Sequence, residues 1–101
     1  MSTVPTNVYN AGDMVRITAA FVDDDGDAAD PTTVTARHKD PSGNVATLVY
    51  GSDAALIRDS AGVFHVDITA DEGGFWWYGW YGAGAVVAAD ENTFFVKASQ
   101  F

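Results

Sequence analysis

Five carboxylates crowd into eight residues, Asp23, Asp24, Asp25, Asp27 and Asp30, and clustered hard oxygens are what a calcium ion requires. The spacing does not fit a helix-flanked calcium loop. Counting from Asp23, glycine comes fourth (Gly26) where the loop wants it sixth, and no glutamate stands twelfth. A solvated connection between strands is the better reading, with Asp and Gly serving the turn. His38 and His65 have neither metal-ligand spacing nor a nucleophile motif beside them. A carboxylate acid/base pair needs a cleft that drives two pKa values apart, and so short a chain has little room for one. No phosphate-binding glycine loop or nucleophile elbow occurs, and the lack of cysteine removes thiol catalysis, disulfides and thiolate zinc sites. The expectation is a protein that is not an enzyme, with no catalytic, cofactor-binding or metal-binding residue.

The informative residue types are aromatic. Six of the thirteen aromatic residues fall in residues 75–81, Phe75-Trp76-Trp77-Tyr78-Gly79-Trp80-Tyr81. In an extended strand, side chains alternate between faces. Trp76, Tyr78 and Trp80 then share one side, Phe75, Trp77 and Tyr81 the other. One triplet belongs in a core and the other points outward, as a strip for stacking on sugar rings or for burial against a protein. Small neighbours such as Gly79, Ala83 and Ala85 suit a flat protein contact, so Phe75, Trp77 and Tyr81 are the expected interface residues.

The elements that must position this ribbon are strands. Residues 14–22 alternate, with Val15, Ile17, Ala19 and Phe21 on one face. Residues 33–39 alternate with Val34, Ala36 and His38 opposite Thr33, Thr35, Arg37 and Lys39, so His38 is expected to be partly buried. Strands are also expected over Val45–Tyr50, Leu56-Ile57-Arg58 and Val63–Thr69, the last with His65 facing solvent. A final strand over Ala85–Val96 is expected to be interrupted near Asp90-Glu91-Asn92. Turn formers separate these runs every 8–12 residues, the signature of a β-sandwich or small barrel. Residues 1–8 read as an N-terminal arm or edge strand, with Pro5 tolerated only at an edge, and residues 9–101 as one domain. Lone Phe101 reads as frayed.

With 101 residues there is room for one core. Fourteen acids against five Lys and Arg give a net charge of −9, which argues against nucleic-acid and anionic-membrane partners. No apolar run approaches the ~18 residues of a membrane span, and the N-terminus lacks a secretion-signal pattern.

The order of these turn and strand signals resembles the small immunoglobulin-like virion proteins of tailed bacteriophages. The resemblance runs over residues 9–97, beginning with Tyr9-x-x-Gly12-Asp13-x-Val15, Asp25-Gly26, Asp30-Pro31-Thr32 and Asp40-Pro41-Ser42-Gly43. It continues through Asp59-Ser60-x-Gly62-Val63-Phe64, Gly74-x-Trp76-x-Tyr78-x-Trp80, Gly82-x-Gly84, Glu91 and Phe94-x-Val96. It implies an immunoglobulin-like antiparallel β-sandwich of about seven strands, located in the virion. The implied role is head decoration, cementing or head–neck attachment, with the major capsid or neck protein, or sister copies, as partner. It carries no functional residues over. Gly79 stands where the pattern often has a basic residue, which widens the apolar strip. The alternative is a carbohydrate-binding or host-adhesion module, with Trp77, Tyr81, the loop acids and a calcium ion engaging glycans. An unrelated bacterial surface sandwich is disfavoured by the missing secretion signal.

Overall fold

The computed structural model describes residues 8–98. Within them the chain is all-β, with eight strands in two packed sheets. They are β1 (Val8–Asn10), β2 (Asp13–Ala20), β3 (Thr33–Lys39), β4 (Val45–Val49), β5 (Leu56–Ser60), β6 (Val63–Ala70), β7 (Gly74–Ala83) and β8 (Ala88–Lys97). The larger sheet has the order β1-β8-β7-β3-β4 and the smaller β2-β6-β5. The chain crosses between sheets after β1, β2, β4 and β6, which is the immunoglobulin-like arrangement of a three-strand sheet against an extended C–F–G sheet.

The eight strands include a short one, Val8–Asn10, that runs parallel to β8, with Val8 opposite Phe95. Three residues carry no readable alternation, and their pairing is decided by a strand almost ninety residues away. Of the arm or edge strand expected over residues 1–8, Val8 lies in the edge strand β1, while residues 1–7 and Phe101 lie outside the described residues. The last strand is not broken at Asp90-Glu91-Asn92, because those residues pair in unbroken register with Tyr78, Gly79 and Trp80 of β7. The early strand ends at Ala20, and Val22 makes only an isolated bridge to Ala28. His65 is buried, 5% exposed, where solvent was expected. It sits on the middle strand of the small sheet, with Thr18 and Ile57 opposite it on either side. Asp59 closes over it, Oδ2 lying 2.7 Å from Nδ1.

The core is built from the inward positions of both sheets. Val15, Ile17, Phe64, Val66 and Ile68 from the small sheet face Val34, Ala36, Trp76, Trp80, Phe94 and Val96 from the large one. Trp76 stacks on Phe94 with ring centroids 5.7 Å apart and planes 11° from parallel. Its indole N–H donates to the Glu72 carbonyl four residues upstream at 2.9 Å, a tie of the kind that the tyrosine corner makes in immunoglobulin domains. Tyr78, expected in the core, is only partly buried and packs at its edge, 6.0 Å from Phe94.

Gly62 closes the β5–β6 turn at φ +74°. Its carbonyl accepts from Phe21 N–H and its own N–H donates to Asp30. A Cβ there would meet the Phe21 carbonyl and the Ala29 nitrogen, so only glycine fits.

Candidate docking surface

β7 lies between β8 and β3 in the large sheet, so its outward side chains sit in the middle of an open face. Register sets the neighbours. Phe75 stands opposite Phe95, which in turn stands opposite Val8. The Phe75 and Phe95 rings meet edge to face, 5.0 Å between centroids. In the next row Trp77 has Thr93 on one side and Lys39 on the other, with Val45 beyond Lys39. Lys39 Nζ lies 5.8 Å from the Trp77 ring centroid, within cation–π range. Phe75 is 58% exposed, Trp77 52% and Val45 53%.

Of the three expected interface residues, Phe75 and Trp77 are presented and Tyr81 only in part. Gly79 has no side chain, so the Tyr81 ring folds down over it: a Cβ at Gly79 would fall 2.5 Å from the Tyr81 hydroxyl oxygen. That hydroxyl donates to Glu91 Oε2 at 2.6 Å. The hydrogen bond, with some desolvation, raises the Tyr81 pKa above its ordinary value. A groove of about 220 Å³ remains over Gly79, walled by Arg37, Lys39, Trp77, Tyr81 and Glu91. Phe95, Val8 and Val45 carry no sequence signal that marks them as interface residues. Only cross-strand pairing places them beside the aromatic strip.

The acidic loop divides. Asp23, Asp25 and Asp27 converge, with ligand oxygens within 4.8 Å of one another. Asp30 is spent elsewhere, paired with Arg58 at 3.0 Å and accepting the Gly62 N–H. Asp24 does not join the group. Asp23 Oδ1 accepts the N–H groups of Asp25 and Asp27 at 2.9 and 3.0 Å, so this carboxylate builds the turn, as aspartate commonly does.

His38 is half-buried near Trp76, ring centroids 6.4 Å apart, and lines a cavity of about 390 Å³ opening between the sheets. Burial pushes its pKa below the usual imidazole value, with Asp40 opposing weakly. Among the described residues no serine or threonine hydroxyl hydrogen-bonds to either histidine.

A pH dependence follows from His38. A histidine with a depressed folded pKa is protonated more readily when unfolded. Its contribution is therefore complete above the unfolded value of about 6.5 and is lost as pH falls below it. Asp30, Asp40 and Asp67 have pKa values lowered by Arg58, by the Asn44 N–H and by Arg16 respectively. Their contribution holds above the ordinary carboxylate range and fades only below about pH 4. The parent's urea midpoint is expected to fall between pH 7.5 and 5.5, and His38→Phe to flatten that slope. An equal slope in both proteins would assign it to another group.

The chain matches no family model, no curated protein and no solved structure.

Proposed function

We propose that this protein is a non-enzymatic structural component of a phage virion, held to a capsid or neck protein, or to sister copies, through the outer face of its large sheet. The observation that carries the reading is the two-sided ribbon: Trp76 and Trp80 are sealed in the core while Phe75 and Trp77 stand exposed on the opposite side of the same strand. Soluble domains seldom leave neighbouring large aromatics open on a flat face without a use for them. The five strands of this sheet hold 3, 10, 10, 7 and 5 residues, which at ~4.8 Å between strands and ~3.3 Å per residue give a face of roughly 550 Å². That is most of the ~800 Å² that one partner contributes to a standard stable interface. The virion setting is supported by the sequence resemblance over residues 9–97.

The test is hydroxyl-radical footprinting of the free protein and of the protein bound to particles from a lysate lacking it. Phe75 and Trp77 are expected to be oxidised in the free protein and protected on the particle, with Trp76 and Trp80 protected in both. Unchanged oxidation of Trp77 on the particle would overturn the reading.

The groove over Gly79 favours a second reading. The partly exposed Tyr81 ring, Trp77, and the polar Arg37, Lys39 and Glu91 beside them also suit a sugar ring. Saturable quenching of tryptophan fluorescence by cell-surface polysaccharide would support that reading; a response only to particles would exclude it.

A further inference from the structure

The five basic residues are distributed unevenly. Arg16 is ion-paired with Asp67 at 2.8 Å and Arg58 with Asp30 at 3.0 Å. Among the described residues, Arg37, Lys39 and Lys97 have no carboxylate within 4 Å. All three project from the outer face of the large sheet, where Glu91 is the one acid on the facing rows of β3, β7 and β8. A chain of net charge −9 thus gathers its unpaired cations on its exposed aromatic face, and the surface that fits this face carries carboxylates around an apolar centre.

The far end of the same molecule has that character. Phe75 and Trp77 lie near the start of β7, and the 21–32 and 83–87 loops meet at its other end, about 26 Å along the strand at ~3.3 Å per residue. There Thr32 N–H donates to the Ala83 carbonyl and Ala85 N–H to Thr32 Oγ1. This end exposes Val87 (82%) and Val22 (52%), and its 21–32 loop carries the exposed Asp23, Asp24, Asp25 and Asp27. Face-to-face pairing of two copies would set like charges against each other, Arg37, Lys39 and Lys97 of one against those of its partner. Head-to-tail pairing sets cations against acids and apolar side chains against apolar side chains. The repulsion of two −9 chains is long-range and is largely screened beyond about 8 Å at physiological salt, whereas close contacts are screened much less.

We propose that the cationic aromatic face docks onto a second copy of this chain, against the acidic, valine-bearing end, so that copies associate head to tail. This rests on the face being the docking surface, as proposed above, and names its occupant.

Two surface variants test it. Lys39→Glu blocks the face and Val87→Lys blocks the end; both positions are exposed, and unchanged thermal melts verify folding. In sedimentation velocity at about 0.15 M salt, the parent's weight-average mass is expected to rise with concentration above the 10.7 kDa monomer. Each variant alone should dissociate at least about tenfold more readily than the parent. Mixed in equal amounts, they should form a heterodimer that grows no further, since one sound face and one sound end remain. Self-association of Val87→Lys alone would show face-to-face pairing and overturn the proposal. A parent that stays monomeric at every concentration would also overturn it, yet would leave docking to a shell protein intact if footprinting still showed Trp77 protected.

Discussion

Trp76→Ala is expected to cost the fold about 3–5 kcal/mol, whereas Trp77→Ala, one residue along, costs less than about 1 kcal/mol. Trp76 is 4% exposed, stacked on Phe94 and tied to the Glu72 carbonyl. Removing it opens a cavity between the sheets and leaves that carbonyl short of a donor. Domains of this size are stable by only about 5–15 kcal/mol, so the melting temperature should fall by about 15 °C or more. Trp77 leans on Lys39 and Thr93 at the surface, and its loss removes a weak cation–π contact and little burial. Urea unfolding of the two variants side by side measures the difference. Equal costs would mean that the register of β7 is not the one described, since a one-residue slip exchanges the two faces.

Binding should show the opposite order. About half of the Trp77 side chain is exposed, on the order of 100 Å² or a little more of mostly apolar surface. At ~25 cal/mol per Å², burying it against a partner contributes about 3 kcal/mol, which is roughly a hundredfold in affinity. Tryptophans near the centre of an interface commonly dominate its energy. Trp77→Ala is therefore expected to shift the midpoint of particle binding about a hundredfold. Thr18→Ala, on the outer face of the small sheet, should leave it unchanged.

Much of this surface was legible because strand alternation is local. The split of residues 75–81 into an inward and an outward set needs only a period of two, and the structure bears it out for Trp76, Trp80, Phe75 and Trp77. The side chains of Arg37 and Lys39 could likewise be placed opposite Val34 and Ala36. What local pattern does not carry is which strands lie side by side. β3 pairs with β7 across forty residues of chain, and only that pairing brings Lys39 to Trp77 and Arg37 to Gly79. Alternation alone presents Tyr81, because it ignores the empty position two residues earlier. Over Gly79 the ring has room to lie down and bond Glu91. His65 failed for a related reason, since a middle strand flanked by Thr18, Ile57 and Asp59 can be covered on its polar side as well. The Asp90–Asn92 segment looked like a turn by composition, yet nine residues of β7 hold β8 straight.

The most direct measurement of the central claim compares binding isotherms of Trp76→Ala and Trp77→Ala on purified particles, at a temperature where both remain folded. The destabilised Trp76→Ala should bind with nearly the parent's affinity, and the stable Trp77→Ala should bind about a hundredfold more weakly. Undiminished binding by Trp77→Ala would contradict the claim that this side of the ribbon is offered to a neighbour.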